Sequence, residues 1–417
     1  MANLAILGGK ALFPGDPVLP WTGWPPRDEE TAEALKKVYM SGEWSFNSPS
    51  EQAFEQAFAD FSGAKYGIFM ANGTTTLECA LYALGVKPGD EVIVPALTWI
   101  ATALAATYVG AIPVFVDIEP TTLCMDPVKL EQAITPKTRA IIPVHIYGGM
   151  ADLEKILQIA DAHGIPVIED CAHMHGGVWN GRGAGSWGKI GSFSFQQSKT
   201  MASGEGGICI TSDPVLAEKL YLLKHIGYSR NVPQGQAVKA PEGLICRNYR
   251  ATAFQAVILH EQLKKFPARV KTYAENAAYL TELVKDIPGI RVQSPGRLAG
   301  PQGYYVFYFI FDGEAFRDIP KKVWNDVMLA EGVDLTSGSY GPVYNHALFN
   351  LDRSKGQYRI DGGNCPVCEA ICPLMHGLPH CRLTDRDFLE KASAVLHKVA
   401  ANIDEVRQYA ASADAAK

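Results

Sequence analysis

Between residues 60 and 210 the chain alternates between helical and strand-like runs of apolar residues. In GTTTLECALYALG (73–85), Leu77, Ala80, Leu81 and Leu84 recur at helical spacing on one face, and Gly85 stands where a helix takes its left-handed terminating residue. DEVIVPAL (90–97) is a short continuous apolar run and predicts a buried strand. TWIATALAATYVG (98–110) predicts a helix, and IPVFVDI (112–118) and RAIIPVHIYG (139–148) predict strands. DLEKILQIADAHG (152–164) predicts a helix capped by Asp152 and ended by Gly164. IPVIED (165–170) and GSFSF (191–195) complete the strand set. Short apolar strands separated by helices imply βαβ units and a mostly parallel sheet.

The texture changes after about residue 250. Two helical stretches, FQAVILHEQLKKF (254–266) and TYAENAAYLTELVKDI (272–287), precede an apolar strand, GYYVFYFIFDG (303–313). A last helix from near Thr384 lines up Phe388, Ala392, Val395, Val399 and Ile403, and the tail AASADAAK is expected to fray. The expected organisation is an N-terminal arm (1–35), a large cofactor-binding α/β domain (36–260) and a smaller α+β domain (261–417).

Composition narrows the function classes. The 417 residues are 47% hydrophobic and 20% charged, as in ordinary soluble enzymes, and a formal net charge of −6 offers no basic field for nucleic acid or anionic lipid. No apolar run approaches the ~18 residues of a membrane span, and the start, MANLAILGGKALFPGD, lacks the basic region and apolar core of a secretory leader. Nine cysteines, an odd number with several inside apolar segments (Cys79, Cys171, Cys209), suggest a reduced, cytoplasmic protein. CPVCEAICPLMHGLPHC (365–381) opens like half a zinc site. However, Val367, Ala370, Ile371 and Leu374 have helical spacing, and Cys368, Cys372 and His376 fall four apart on one face. A packed helix without metal is the expectation.

One stretch carries chemistry. GSFSFQQSKTMASGEGG (191–207) brings a single lysine, Lys199, to the end of a buried strand among Ser, Gln and Gly. Burying an amine costs desolvation, so packing alone is a poor reason for it. Ligands of open α/β sheets sit at the carboxyl ends of strands, and other strand ends here carry Asp170, Trp99 and the helix start Gly73, Thr74, Thr75. An amine, a carboxylate, a flat ring and an anion site are what pyridoxal phosphate requires. Lys199 would form a Schiff base with the aldehyde, and Asp170 would keep the ring nitrogen protonated. Trp99 would cover the ring, and Gly73, Thr74, Thr75 and Ser194 would hold the phosphate. Each feature has a plainer reading taken singly: an N-cap, a turn cap, a core ring, a surface lysine.

In chain order the motifs NGTTTLECALYALGVKPGDEVIVPALTWIATA, PVFVDI, TRAIIPVHIYG, IPVIEDCAH, GSFSFQQSK, GEGG and NYRATAFQAVI resemble the DegT/StrS family of pyridoxal-phosphate-dependent aminotransferases of fold type I, over roughly residues 20–405. The resemblance implies that Lys199 and Asp170 are catalytic and that His173 lies near the cofactor's phenolic oxygen. It further implies that Asn248 reaches the phosphate of a neighbouring subunit, so that a homodimer shares its sites. LTWIATA and SFQQSK are most similar to a cyclitol-related branch that includes glutamine:scyllo-inosose aminotransferases of aminoglycoside antibiotic pathways and 3-amino-5-hydroxybenzoate synthases. Positions 251 and 253 depart from the family pattern, both being alanine. The implied activity moves an amino group from L-glutamine or L-glutamate to a keto cyclitol or keto sugar. Alternatives on the same lysine are a dehydratase or lyase acting on a related ring, and a nucleotide-sugar aminotransferase. Tyr340, Tyr344 and His346 in GSYGPVYNHALF are candidates for the acceptor pocket or, equally, for small-domain packing.

Overall fold

The computed structural model describes residues 2–15, 21, 23–230, 232, 236, 242–335 and 338–415. Its centre is a sheet in the spatial order Tyr66–Met70, Gly207–Thr211, Ile190–Ser194, Ile168–Asp170, Thr138–Ile141, Glu91–Pro95, Ile112–Val116 and Arg359–Ile360. Single bridges at Ile141↔Val167 and Val144↔Asp170 join its two halves. Only Gly207–Thr211 runs against its neighbours, and every other pairing is parallel. The central strands are buried along their whole length, as Glu91–Pro95 and Ile190–Ser194 illustrate, because helices cover both faces. The result is the expected α/β architecture with a mostly parallel sheet.

The helix termini follow local chemistry. Asn72 caps Gly73–Ala83 and Asp152 caps Leu153–Ala162, each side chain accepting an amide of the first turn. Gly85 takes φ of +81°, as expected for the residue that ends the first of these. The strand expected from 139 to 148 ends at Ile141. Beyond it the contact with neighbouring strands reduces to single backbone bonds, the Ile142 amide on the Ile93 carbonyl and the bridge between Val144 and Asp170.

Three expectations are corrected. The two helices expected on either side of Pro267 form one helix, Ala253–Val284. Proline removes one hydrogen bond there, but packing holds both halves. Ala256, Leu259 and Phe266 bury against the large domain, while Tyr273, Ala277, Leu280 and Val284 enter the small-domain core. The last expected helix divides at Asn402 into Arg386–Ala401 and Ile403–Ala415, so the tail is helical to Ala415. Glu405 accepts the amides of Asn3 and Leu4, which ties this last helix to the N-terminal segment. His376 does not share a helix with Cys368 and Cys372. Pro373 follows Cys372, the helix Pro366–Ile371 stops, and His376 lies on the strand Met375–Pro379.

The small domain builds an antiparallel sheet from Ile290–Val292, Val306–Phe311 and Met375–Pro379. The expected boundary at 260/261 falls within the long helix. Between these strands the chain returns to the large sheet. Arg359–Ile360 pairs with Ile112–Val116, and Val343, Phe349, Cys365, Cys368 and Cys372 join the large core. Cys368 and Cys372 place their sulfurs 3.7 Å apart, and all nine cysteines are free thiols. Among the described residues no helix is long and apolar enough to cross a membrane.

Burial holds several histidines neutral. His175, His376 and His380 are each pushed down to about 3 by desolvation. His376 is the extreme case, for neither ring nitrogen has a partner and its ring lies 4.4 Å from that of Phe311. The unfolded chain takes up protons at these residues below their ordinary value of about 6.5, and the folded chain does not. Stability is therefore complete above about pH 6.5 and falls as pH drops toward 3, by up to ~1.4 kcal/mol per pH unit per histidine. Urea midpoints measured from neutral to acid pH are expected to fall steeply. His376→Leu is expected to flatten that fall by one proton and to raise stability at acid pH; an unchanged slope in the variant would assign the acid lability to other groups.

Candidate active site

A cavity of about 770 Å³ opens at the carboxyl ends of the parallel strands, and it gathers most of the residues singled out above. Its floor begins at the helix Gly73–Ala83. Asn72 Oδ1 accepts the amide of Thr75 at 3.0 Å, and Thr75 Oγ1 donates to the Asn72 carbonyl at 2.8 Å. Thr75 lines the cavity, but both its donors are committed within the chain. The amides of Gly73 and Thr74 have no acceptor among the described residues, and Thr74 Oγ1 and Ser194 Oγ stand beside them. This cradle exists because the helix start lies directly on the strand Ile190–Ser194. A Cβ added at Gly73 would stand 2.6 Å from Ser194 Cβ, so only glycine permits the approach.

Asp170 ends the strand Ile168–Asp170 and is 5% exposed. Its Oδ2 accepts from Thr102 Oγ1 at 2.8 Å, and its Oδ1 accepts from the Ala172 amide at 3.1 Å. Burial pushes its carboxyl above the ordinary range, and these two donors pull against that shift. The preceding residue is engaged differently. Glu169 accepts from the amides of Gly185, Trp187 and Gly188 and from His145 Nε2, while His145 Nδ1 takes the Ala151 amide. His145, Glu169 and Cys171 cluster closely enough to suggest metal ligands, but the carboxylate and the imidazole are already committed to protein donors and acceptors. The network instead fastens the strand that carries Asp170 to the loop at 185–188.

Lys199 follows the strand Ile190–Ser194 and is 8% exposed. Its Nζ lies 4.3 Å from the ring centroid of Tyr305. Burial pushes the amine below its ordinary value, while the Tyr305 side chain and the Asp170 carboxylate favour the ammonium. The Tyr305 hydroxyl is 2.7 Å from Ser198 Oγ, which donates to Gln196 Oε1. His173 stacks on Tyr305 with ring centroids 4.1 Å apart. Its Nδ1 accepts the Tyr147 amide at 3.3 Å, which leaves the proton on Nε2, and burial keeps the ring neutral.

Trp99 precedes the helix Ile100–Tyr108 and remains 41% exposed at the cavity wall. Tyr340 completes that wall, 5.2 Å from the Trp99 ring, with its amide donating to Tyr147 Oη. His346 packs edge-on against Trp99 at 5.7 Å but does not line the cavity. Tyr344 is turned away. Its hydroxyl donates to Glu369 at 2.7 Å and its ring packs against Phe115, so it does pack, but against the large-domain core and not within the small domain. Asn248 is exposed and lies outside the cavity of its own chain, on a bridge to His225.

Residues not singled out from sequence include Asn72, Thr102, Gln196, Ser198 and Tyr305. One signal was available, since Thr98 and Thr102 are four apart and so share a helix face. Pairing of Tyr305 with Lys199 left no mark in either local sequence.

The donor set suits pyridoxal phosphate. Unpaired amides and hydroxyls could take a phosphate, a buried carboxylate could face a ring nitrogen, a neutral Nε2–H could donate to a phenolic oxygen, and an exposed indole face could cover a ring.

A family model described as DegT/DnrJ/EryC1/StrS aminotransferases matches residues 25–399. An L-glutamine:2-deoxy-scyllo-inosose aminotransferase of Streptoalloteichus tenebrarius is 34% identical over 420 residues, covering 95% of this chain and 99% of the relative. A crystal structure of 3-amino-5-hydroxybenzoic acid synthase superposes with a TM-score of 0.81 at 28% identity, covering 94% of this chain and 99% of that one. An E. coli GDP-4-keto-6-deoxy-D-mannose-3-dehydratase with bound hydrated PLP superposes with a TM-score of 0.79 at 26% identity, covering 92% and 100%.

The close approach at Gly73 is open to test. Gly73→Ala forces the helix start off Ser194, an overpacking of about 1–3 kcal/mol. Pyridoxal phosphate affinity, read by equilibrium dialysis, is expected to fall by roughly five- to a hundredfold while the melting temperature moves little. Unchanged affinity would mean that the phosphate binds elsewhere.

Proposed function

The chain belongs to the DegT/DnrJ/EryC1/StrS aminotransferase family, and on that premise we propose that it transfers an amino group from L-glutamine or L-glutamate to a keto cyclitol of the scyllo-inosose kind, with pyridoxal 5′-phosphate as cofactor. The observation that carries this reading is the meeting of a buried amine, Lys199, and a buried carboxylate, Asp170, beside an unpaired amide cradle in one cavity. The relative from Streptoalloteichus, named for glutamine and 2-deoxy-scyllo-inosose and matched over nearly its whole length, supports the substrate class.

When bound, the cofactor supplies an aldehyde for imine exchange and a ring that accepts electrons. The chain's own groups do the rest. Gly73 and Thr74 amides, with Thr74 and Ser194 hydroxyls, would hold the phosphate. Asp170 would keep a proton at the ring nitrogen, and the neutral His173, with its proton on Nε2, would donate to the phenolic oxygen. Lys199 Nζ would take the proton from the donor's Cα and deliver it to the cofactor's aldehyde carbon within the same half-reaction, and would make the reverse transfer for the acceptor, acting as base and then acid each time. Burial suits Lys199 to this, because it raises the share of neutral amine. Trp99 would cover the cofactor's ring, and Tyr340 beside it would form the wall against which an acceptor ring lies.

Asn248 supports a homodimer with shared sites. It is exposed and outside its own cavity, and it is accompanied by Ile226 and Ile245, which are 54% and 64% exposed. In this reading Asn248 reaches the phosphate held by a second copy, in a cytoplasmic enzyme.

Three experiments test the proposal. The purified protein with pyridoxal phosphate is expected to be yellow, to bleach with borohydride and to yield a reduced adduct on Lys199. With glutamine and a keto cyclitol it is expected to release a keto acid and an aminocyclitol. An adduct on another lysine overturns the site, and ring turnover without an amino donor would mean elimination. Mixing inactive Lys199→Ala and Asn248→Asp chains is expected to restore activity, since each heterodimer has one site with both residues intact. A mixture that stays dead means that each site belongs to one chain.

A further inference from the structure

Thr98 and Thr102 are buried at the start of the helix Ile100–Tyr108. Their hydroxyl oxygens are 2.7 Å apart, and Thr102 Oγ1 is 2.8 Å from Asp170 Oδ2. A hydroxyl carries one proton. An ionised carboxylate only accepts, so Thr102 spends its proton on Asp170. The proton shared by the two threonines must then come from Thr98. The chain has a direction, Thr98 to Thr102 to Asp170. It has that direction only while Oδ2 carries no proton of its own, because a proton there would face the one from Thr102.

The other oxygen of Asp170 accepts the Ala172 amide at 3.1 Å. Both carboxylate oxygens are thus oriented by donors of the chain itself. The charged and titratable groups whose fields reach Asp170 are Lys199 and His145. His145 is committed to Glu169 and to the Ala151 amide. Lys199 is needed for proton transfer and changes its bonding during turnover. The threonine chain and the Ala172 amide are the contributions to Asp170 that stay constant through the cycle, and of the two only the threonine chain comes from side chains.

We propose that Thr98 and Thr102 are positioning residues that keep Asp170 ionised and aimed at the ring nitrogen of pyridoxal phosphate, so that the shared proton resides on nitrogen and not on the carboxylate. The proposal rests on the reading above, in which Asp170 faces that nitrogen. Removing the Thr102 hydroxyl takes one charge-assisted donor from a buried carboxylate. Asp170 then becomes the better base, the proton moves toward it, and the ring accepts electrons less well.

The test reads the proton directly. Wild-type protein and the variants Thr102→Val, Thr102→Ser, Thr98→Val and Asp170→Asn are loaded with pyridoxal phosphate labelled with nitrogen-15 in the ring, and the nitrogen chemical shift is followed across pH. Wild type and Thr102→Ser are expected to show a protonated nitrogen. Thr102→Val is expected to lower its apparent titration by about one to two pH units and kcat by roughly ten- to a hundredfold. Uptake of the cofactor should change little, because the phosphate cradle is untouched. Thr98→Val leaves Thr102 donating and should shift the titration in the same direction by less. If Thr102→Val titrates like wild type while Asp170→Asn loses the nitrogen proton, the threonine chain is overturned and the reading of Asp170 stands. If neither variant moves the titration, both are overturned. If Thr102→Val does not fold, Thr98→Val decides alone: a shifted titration supports the chain, and an unshifted one overturns it.

Discussion

An amine and a carboxylate, Lys199 and Asp170, are both withdrawn from water on neighbouring strand ends. Each isolated buried charge carries a penalty of several kcal/mol in a folded protein, and they lie close enough for each to feel the other's field. Much of the architecture around them can be understood as making that arrangement tolerable. Asp170 is held by a threonine hydroxyl and a backbone amide. Lys199 lies against the face of Tyr305, whose quadrupole favours a cation without adding a second negative charge. Neither group is fully neutralised, and that leaves both available for chemistry.

The sheet makes the meeting possible. Asp170 pairs with Ser192 in a parallel register, so Ser194 and the turn to Lys199 emerge at the same edge as the carboxylate. The saturated Glu169 anchors this strand from the opposite face, where successive side chains alternate. The small domain contributes through two returns. Tyr305 begins the approach to the strand Val306–Phe311, and Tyr340 arrives on a segment laced to the large domain by the Val343 amide on the Ala96 carbonyl. The rigid helix Ala253–Val284 holds the two cores in one arrangement, so these returns stay in place.

The charge of the cavity bears on its ligands. Among the described lining residues, Lys199 is the single permanently basic side chain, beside the carboxylates of Glu78, Glu205 and Asp170. A phosphate here would be met by backbone amides and hydroxyls, in the manner of helix N-termini. Tyr108 and Tyr340 offer flat apolar faces edged with hydroxyls, which suit a polyhydroxylated ring with alternating apolar and polar edges.

Local sequence determined the strands, most of the helices and the order in which the cavity residues appear. That information is short-range: a continuous apolar run, a helical period, a capping Asn or Asp, a glycine that alone fits at position 73. Lys199, Asp170, Trp99 and Ser194 were legible because each sits at the end of an element whose type the neighbouring residues declare. Tertiary structure alone decided what surrounds them. Tyr305 meets Lys199 across 106 positions of chain, Tyr344 turns to Glu369 and leaves the cavity to Tyr340, and packing against two cores carries one helix through Pro267. Such pairings depend on which surfaces the fold presses together, and long-range packing energy leaves no periodicity or spacing in the residues it joins.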